Sequence, residues 1–326
     1  MTPEQSRRSL LVFTRSDTFG DALIKLPAVA ALPAAFPGYR VTWLAGRGPS
    51  LYAGALSYAV EGVLDEVIDR AGVGGRWREL LRPPLGGRHF EVIIDTQRSI
   101  KSTLILRRIP HRLFVSAAGG FRFSDRRPAP GVDRPQAVLN QVMELISLAA
   151  GRPVAPVHGV RLPPAHRALA ARLLPPGPTY VGLAPGAGQA RKCWPLDRFI
   201  ALARTQLAAG RVPVFILGPG ERHWAARLGE AVAGGLFPLP EDCDPLLTIA
   251  LAERLAVSVA NDAGAGHMLA AGGRPLVSLF GPTPVEKFAP HAARLVCLRA
   301  RDFGGEHMTA IPLQAVRAAV DGLLAP

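Results

Sequence analysis

The architecture is indicated most strongly by one segment, Val259-Ala260-Asn261-Asp262-Ala263-Gly264-Ala265-Gly266-His267. Residues 255–259 form a short apolar run that predicts a buried parallel strand, and a helical pattern follows the glycines. Gly264 and Gly266 allow backbone N–H groups to approach a ligand, and the positive end of the new helix points to the same place. The segment therefore suits a phosphate or pyrophosphate, although a strand-to-helix turn that binds nothing has the same pattern.

The rest of the chain repeats this alternation of strand and helix. Apolar runs that predict strands lie at 10–14, 39–44, 63–68, 90–95 and 112–115, and again at 179–184, 212–217 and 275–280. Such alternation implies parallel sheets with helices on both faces. Proline-rich segments at 151–164 and 175–178 separate the two halves. We therefore predict an α/β fold with two Rossmann-like domains, residues 1–155 and 156–326, and a terminal helix able to pack back on the first domain.

Polar side chains mark the predicted carboxyl ends of these strands. In open α/β sheets, ligands bind at this edge. The residues found there are Asp21, Gln97, Lys192, Glu221 and Asp262. We expect the two domains to face each other across a cleft that collects these side chains.

Composition narrows the classes of partner. The chain has 326 residues, of which 48% are hydrophobic, and its net charge is +13. This charge indicates attraction to membrane lipid, nucleic acid or a phosphorylated substrate, or else an arginine-biased solvated surface. Only 6% of residues are aromatic, and no interleaving of basic and aromatic residues suggests a base-stacking surface, which argues against a nucleic-acid partner.

The cysteines and the apolar segments bear on the compartment. Cys193, Cys243 and Cys297 are odd in number and far apart, which favours reduced cytosolic thiols over a disulfide or zinc framework. No uncharged apolar stretch is long enough to span a bilayer. We expect a soluble cytoplasmic protein that can contact a membrane peripherally.

Three side chains of the second half are candidates for a nucleotide-phosphate site. Lys192 follows a glycine-containing loop and could neutralise a phosphate, although most lysines are simply solvated. Glu221 could accept hydrogen bonds from ribose hydroxyls, or complement the dipole of a helix start. His267 could contact a ligand, but packing inside its helix is the slightly better interpretation.

Two competing sites are weaker. An NAD site at Gly264 and Gly266 would need an acid at the end of the next strand, where the sequence reads Phe280-Gly281-Pro282. Asp242-Cys243-Asp244 resembles the metal-binding Asp-x-Asp of some sugar transferases. Pro245 follows Asp244, however, and this order favours a capped helix start.

In the first half, a carboxylate lies at a strand-to-helix turn. Asp21 follows Gly20 there and could act as a general base or as a helix cap. Asp17 is a weaker candidate for the same role. Gln97, Arg98 and Lys101 follow another predicted strand and could bind an acidic acceptor.

Taken together, these residues resemble glycosyltransferase family 9, the ADP-heptose:lipopolysaccharide heptosyltransferases. The matching pieces cover nearly the whole chain, and the last is the most specific. They are Phe19-Gly20-Asp21-Ala22-Leu23 with Leu26-Pro27-Ala28, Ile94-Asp95-Thr96-Gln97 with Lys101-Ser102, Pro185-Gly186-Ala187 with Lys192-x-Trp194-Pro195, Leu217-Gly218-Pro219-Gly220-Glu221, and Asn261-Asp262-x-Gly264-x-x-His267 with Leu279-Phe280-Gly281-Pro282-Thr283.

The resemblance implies a GT-B fold and an inverting transfer of heptose, or a related sugar, from a nucleotide-sugar such as ADP-heptose. It implies no metal and no cofactor beyond this co-substrate. Asp21 matches the catalytic base and Lys192 the phosphate-binding, catalytic lysine. The nucleotide-sugar would contact Gly20, Gly186, Lys192, Glu221, Asp262, Gly264, Ala265, Gly266 and His267.

The resemblance also implies a partner and a place of action. The acceptor would be an anionic glycolipid, the lipopolysaccharide core, bound by Gln97, Arg98 and Lys101 at the cytoplasmic face of the inner membrane. The chain departs from the family at Ala263, where a hydroxyl residue is usual. Two alternatives stay open: a nucleotide-sugar epimerase of GT-B-like fold, and a non-catalytic nucleotide-sugar-binding protein, which Ala263 favours.

Overall fold

The chain folds into two compact units, Met1–His158 and Gly159–Pro326. The computed structural model describes residues 8–238 and 244–325, and within them each unit is built on a five-stranded parallel sheet. The predicted mixed α/β fold with two such sheets is confirmed. No helix in the described ranges is long and apolar enough to cross a bilayer.

The first unit begins at the centre of its sheet and builds outwards. Its elements are β1 (Ser9–Thr14), α1 (Phe19–Ala30), α2 (Leu32–Ala35), β2 (Arg40–Ala45), β3 (Glu66–Ile68), β4 (Phe90–Asp95), α3 (Ile100–Leu106), β5 (His111–Ser116) and α4 (Val138–Ala150). The strand order is β3-β2-β1-β4-β5. The direction in which successive strands are added to the sheet therefore reverses between β1 and β4. The loops after these two strands flank the crevice where open sheets bind ligands.

The second unit repeats the plan. Its elements are α5 (Pro164–Leu173), β6 (Tyr180–Ala184), α6 (Leu196–Ala208), β7 (Val212–Phe215), α7 (Ala225–Ala231), α8 (Pro245–Ala252), β8 (Val257–Asn261), α9 (Gly264–Ala271), β9 (Leu276–Phe280), α10 (Val285–Phe288), β10 (Leu295–Arg299) and α11 (Leu313–Leu324). The strand order is β10-β9-β8-β6-β7. Here the order in which strands are added reverses between β6 and β8, so the loops that follow these two strands meet at the carboxyl edge.

Buried apolar strands hold each unit together. All of β6, β8 and β9 is buried, as parallel strands covered by helices on both faces must be. Trp194 and Phe199 anchor α6 in the core of the second unit. The C-terminal helix α11 packs on α6 and on β8, β9 and β10, with Val316 and Val320 fully buried.

Candidate active site

A buried amide fixes the loop that follows β6 to the end of β8. Asn261 is fully buried, and its side-chain N–H donates to the carbonyl of Pro185 at 2.7 Å. Its side-chain oxygen accepts the backbone N–H of Trp194 at 3.0 Å. Both ends of the loop between Pro185 and Trp194 are thereby attached to one side chain. The loop is consequently held at the point where the second sheet reverses.

This loop presents a lysine to the end of β8. Lys192 ends a short 3₁₀ turn, Ala190–Lys192, and its Nζ donates to Asp262 Oδ2 at 2.7 Å. The Asp262 side chain is 6% exposed, whereas that of Lys192 is 24% exposed. An ammonium has three N–H donors, so one carboxylate oxygen does not exhaust them. The buried carboxylate therefore orients a cation that is still accessible from solvent.

The helix start beside this lysine has no side-chain cap. Helix α9 begins at Gly264, and its N-cap residue, Ala263, makes no side-chain hydrogen bond because it carries only a methyl group. The first N–H groups of a helix lack intrahelical partners, and they lie at the positive end of the dipole. The junction between β8 and α9 therefore offers backbone N–H groups to an anion, and a phosphate site there stays a prediction.

The other residues of this junction serve mainly to pack it. A Cβ added to Gly266 would lie 3.1 Å from the carbonyl oxygen of Asn261, so glycine allows α9 to approach the end of β8 closely. Ala265 is half-buried in the first turn of α9, between the two glycines. His267 is only 7% exposed, which matches the interpretation that it packs within its helix.

Glu221 is brought to the same edge by two glycines. It lies in the 3₁₀ turn Pro219–Trp224 that follows β7. A Cβ added to Gly186 would lie 2.4 Å from Glu221 Cδ, and one added to Gly218 would lie 2.7 Å from Glu221 Oε2. Any larger residue at either position would displace the carboxylate. The two glycines therefore define where the carboxylate lies.

Cys193 connects Glu221 to the loop that carries Lys192. Burial raises the pKa of the Cys193 thiol, a hydrogen bond from the backbone N–H of Ala187 lowers it, and the charge of Glu221 raises it again. The thiol is thus largely protonated at neutral pH and is no strong nucleophile. Glu221, Gly186 and the Lys192 loop consequently form one cluster at the carboxyl edge of the second sheet.

In the first unit, Asp21 lies in the first turn of α1. Thr18 is the N-cap residue, and its hydroxyl donates to Asp21 Oδ2 at 2.8 Å. The same hydroxyl oxygen accepts the Asp21 N–H at 3.4 Å. Asp21 is half-buried, and Gly20 beside it has no side chain to cover the carboxylate. The carboxylate is thus held in place at the carboxyl edge of the first sheet and can still accept a proton from a ligand.

Asp17, the weaker candidate for a base, is instead part of a buried network. Asp17 is only 2% exposed, and its carboxylate accepts hydrogen bonds from Lys25 Nζ at 2.9 Å and Trp43 Nε1 at 2.9 Å. Ser50 Oγ donates to it at 3.0 Å. The Tyr52 hydroxyl donates to Ala22 of α1 at 2.7 Å, and burial, together with the charge of Asp17, raises the pKa of Tyr52. This network anchors α1, and hence Asp21, to the sheet.

The Lys25–Asp17 pair was not predicted from the sequence as a feature of the site. A signal was present, because Lys25 falls on the apolar stripe of α1, three residues after Ala22 and four before Val29. A lysine on a buried stripe requires an anionic partner. The sequence does not show which of the nearby carboxylates that partner is.

The loop after β4 is ordered by a buried carboxylate. Asp95 is fully buried and accepts hydrogen bonds from Thr103 Oγ1 at 2.6 Å, the backbone N–H of Gln97 at 2.9 Å and Ser116 Oγ at 3.0 Å. Burial raises the pKa of Asp95 to about 6, and these hydrogen bonds limit the rise. Asp95 belongs to one of the sequence motifs but was not predicted as a site residue, and in the structure it fixes the start of the loop that carries Gln97 and Arg98.

The three predicted acceptor residues follow Asp95 at this edge. Gln97 is half-buried, and its side-chain amide donates to Thr96 Oγ1 at 3.2 Å. Arg98 is exposed, and its charge acts on Glu144 of α4. Lys101 lies in the first turn of α3 with its Nζ 5.8 Å from the centre of the Trp77 ring. All three therefore lie on the same edge of the first sheet as Asp21.

One residue of the competing metal motif, Asp244, serves as a helix cap. Asp244 caps α8 through a hydrogen bond from the Leu246 N–H at 2.7 Å, and His166 Nε2 lies 2.7 Å from its other oxygen. The predicted capped helix start is thus confirmed, whereas Asp242 and Cys243 lie outside the described residues. Within residues 8–238 and 244–325, no group of three His, Cys, Asp or Glu side chains is arranged to hold a metal ion.

Two doubly wound units in tandem, each built on a five-stranded parallel sheet, have the fold of the GT-B glycosyltransferases. A family model described as glycosyltransferase family 9 (heptosyltransferase) matches residues 78–310. The chain belongs to this family.

Similar proteins agree with this assignment. Lipopolysaccharide heptosyltransferase 1 of Escherichia coli strain K12 is 24% identical over 298 residues, which is 84% of this chain and 88% of that protein. A glycosyl transferase family 9 structure from Veillonella parvula superposes with a TM-score of 0.75 at 16% identity, covering 97% of each chain. The E. coli heptosyltransferase WaaC, solved with ADP, gives a TM-score of 0.71 at 20% identity over 97% of this chain and 99% of its own.

Proposed function

We propose that this enzyme transfers a heptose, or a closely related sugar, from ADP-heptose to a lipopolysaccharide core acceptor. The observation that carries the proposal is the pairing of Lys192 Nζ with Asp262 Oδ2 at 2.7 Å beside the uncapped start of α9. Together they form a preorganised site for a diphosphate. The donor is chosen by analogy, since WaaC has been solved with ADP and with ADP-2-deoxy-2-fluoro heptose.

The proposed donor site lies at the carboxyl edge of the second unit. The diphosphate accepts hydrogen bonds from Lys192 and from the N–H groups at Gly264 and Ala265, while Glu221 accepts hydrogen bonds from the ribose hydroxyls. Lysine and helix dipole together supply the positive charge that a divalent cation supplies in other transferases. We therefore propose a metal-independent reaction, for which EDTA leaves the rate unchanged.

The proposed chemistry is a single displacement with inversion at the anomeric carbon. Asp21 accepts the proton of the acceptor hydroxyl as its oxygen forms a bond to the anomeric carbon. The bond between that carbon and the diphosphate oxygen breaks, and ADP leaves with the electron pair. Lys192 and the N–H groups at the start of α9 stabilise the growing charge. Each such preorganised donor contributes on the order of 10²–10³-fold in rate.

The proposed acceptor binds at the carboxyl edge of the first unit. Gln97, Arg98 and Lys101 lie there with Asp21, and two of these side chains are cationic. A phosphorylated or otherwise anionic glycolipid complements them, and the net charge of +13 attracts it from a distance. Because such an acceptor is anchored in lipid, the enzyme would act at the cytoplasmic face of the inner membrane.

A transfer assay tests this function. The enzyme is incubated with ADP-heptose and heptose-deficient lipopolysaccharide core, and the product is weighed by mass spectrometry. We expect the wild type to add one heptose and the Asp21→Asn variant to lose transfer by at least about 10²-fold. ADP binding, measured by calorimetry, should be unchanged in the variant because Asp21 belongs to the first unit.

The same assay separates the alternatives. An epimerase would convert the nucleotide-sugar without any acceptor. A non-catalytic binding protein would bind the donor in calorimetry and yield no product with any core acceptor. If Asp21→Asn lost ADP binding together with transfer, Asp21 would have a structural role and the proposed mechanism would be wrong.

A further inference from the structure

Two large apolar side chains are exposed in the connection between β3 and β4. Trp77 is 58% exposed and Leu81 is 81% exposed, whereas Trp43 and Trp194 are almost completely buried. Trp77 begins a 3₁₀ turn, Trp77–Leu80, and Leu81 follows it directly. We call residues 74–82 the Trp77 turn. An exposed tryptophan and leucine on one turn form a small apolar surface, in contrast to single apolar side chains scattered over a protein.

The Trp77 turn is rigidly built. The Glu79 carboxylate accepts the backbone N–H of Gly74 at 2.7 Å and that of Gly75 at 3.1 Å, and the N–H of Arg76 also donates to it. Ser102 Oγ of α3 donates to the carbonyl of Gly74 at 3.0 Å. These bonds hold Trp77 outwards in a defined position. They also turn the one acidic side chain of the Trp77 turn towards the backbone.

The outer surface of the Trp77 turn is consequently basic as well as apolar. Arg76, Arg78 and Arg82 are exposed, and Lys101 Nζ lies 5.8 Å from the centre of the Trp77 ring. A groove of about 490 Å³ adjoins the turn. Its walls are mostly apolar and include Val73, Leu81 and Leu85, and the charged residues that line it are Arg78, Arg82 and Glu79.

We propose that the Trp77 turn is a docking surface for an anionic lipid bilayer. Trp77 and Leu81 enter the headgroup region, where amphipathic aromatic rings are favoured. Arg76, Arg78 and Arg82 bind lipid phosphates, which attract basic side chains near the membrane surface. The composition of the turn favours this occupant. Its arginines complement the lipid phosphates, and its apolar side chains complement the apolar layer beneath them.

The inference rests on the proposed function for its biological purpose and adds a partner surface to it. Ser102 and Lys101, which contact the Trp77 turn, belong to α3. Helix α3 starts at Ile100, two residues after Arg98, and Gln97 and Arg98 are two of the proposed acceptor residues. Docking through the Trp77 turn would therefore bring the acceptor loop of the first unit to a lipid-borne substrate.

Vesicle binding tests the surface without any catalytic readout. The full chain is sedimented with vesicles of phosphatidylethanolamine and phosphatidylglycerol, and separately with vesicles of phosphatidylcholine alone. We expect binding to the anionic vesicles that weakens with salt. Trp77→Ser/Leu81→Ser should weaken it by more than about tenfold. Arg78→Gln/Arg82→Gln should also weaken it, by about 25-fold, at roughly fivefold for each arginine.

Matched variants control for nonspecific effects. Phe303→Ser changes another exposed aromatic, 37% exposed in the second unit, and Arg172→Gln removes another exposed arginine. Both should bind vesicles like the wild type. Circular dichroism and the thermal midpoint verify that the Trp77-turn variants are folded, and transfer to a deacylated, soluble acceptor should be unchanged in them.

The outcomes are distinguishable from failure of the proposed function. Vesicle binding through the Trp77 turn in a chain without transfer activity would support the surface and contradict heptose transfer. Equal binding by wild type and Trp77→Ser/Leu81→Ser would overturn the surface, and so would equal binding to anionic and neutral vesicles. If the wild type ignored vesicles but formed a dimer that this variant abolished, the occupant would be a second copy and the inference would be wrong.

Discussion

Lys192 Nζ lies 2.7 Å from Asp262 Oδ2, and the carboxylate is far more buried than the ammonium. The lysine is therefore oriented before any ligand arrives, so little reorganisation accompanies binding. When the lysine is absent, Asp262 weakens binding instead, because its negative charge would then face the diphosphate without a compensating cation. The pair predicts a coupling between the two side chains that a simple surface ion pair would not have.

Removing the lysine should reveal this repulsion. We expect Lys192→Ala to weaken ADP binding by about 10²-fold, because a charge-assisted hydrogen bond is lost and Asp262 is left uncompensated. Adding Asp262→Asn to Lys192→Ala should recover part of the affinity. Calorimetric titration of ADP into the wild type, both single variants and the double variant measures the coupling. Strictly additive effects would show that the two side chains act independently on the ligand.

The glycines around Glu221 allow a test of that carboxylate with a built-in control. A Cβ at Gly186 would lie 2.4 Å from Glu221 Cδ, whereas a Cβ at Gly188 would meet nothing within 4 Å. We expect Gly186→Ala to displace Glu221 and to weaken ADP binding by about tenfold, in line with the loss of a hydrogen bond to a charged group. Gly188→Ala, in the same loop, should bind ADP like the wild type.

A second variant distinguishes displacement of Glu221 from distortion of the loop. In a Glu221→Ala background, the obstacle to a Cβ at position 186 is gone. Gly186→Ala should then have little further effect on ADP binding in calorimetry. If it still weakened binding by the same factor, the glycine would be needed for the loop itself and not for the carboxylate.

The buried Asp17–Lys25 pair predicts an asymmetry in stability. Asp17→Ala leaves the Lys25 ammonium with Thr14 Oγ1 as its remaining hydrogen-bond partner, whereas Lys25→Met leaves Asp17 its bonds from Trp43 and Ser50. Breaking a buried pair costs about 3–5 kcal/mol. In urea unfolding, the loss of free energy of unfolding should lie at the upper end of this range for Asp17→Ala and should be clearly smaller for Lys25→Met. An equal or larger loss in Lys25→Met would contradict this network.

Asp95 predicts a pH dependence of stability. Burial raises its pKa from 3.8 to about 6 in the folded chain, so between these values the native state holds a proton that the unfolded state has released. This carboxyl therefore lowers the free energy of unfolding as the pH rises from about 4 to about 6. Relative to the wild type, Asp95→Asn should gain stability over this window, by up to roughly 3 kcal/mol. If the free energies of unfolding of the wild type and of Asp95→Asn differed by the same amount at every pH, the raised pKa of Asp95 would be contradicted.

Much of the fold follows from local pattern. Strands such as β4 and β6 are apolar runs bounded by polar or proline residues, and both match their predicted positions within a residue. The rule that ligands meet the carboxyl ends of parallel strands also placed Lys192, Glu221 and Asp262 at one edge. These inferences succeed because they depend only on residues close together in the chain and on a general topology.

The rest depends on tertiary contacts. Strand β10 was not predicted, since it is a half-buried edge strand paired with β9 alone and lacks a continuous buried pattern. Helix α5 was not predicted either, because it begins at a proline and has little apolar character beyond alanine and leucine. The contact of Glu221 with Gly186 joins residues from two loops. No local pattern specifies such a contact.

A donor-selective thermal shift tests the central claim most directly. The midpoint of unfolding is measured for the wild type and for Lys192→Ala with ADP-heptose and with UDP-, GDP- and CDP-sugars, because only ligands that bind the native state raise it. We expect ADP-heptose to raise the wild-type midpoint well above the effect of the other nucleotides, and the rise to collapse in Lys192→Ala. An undiminished rise in Lys192→Ala, or a larger rise with another nucleotide-sugar, would contradict the proposed donor site.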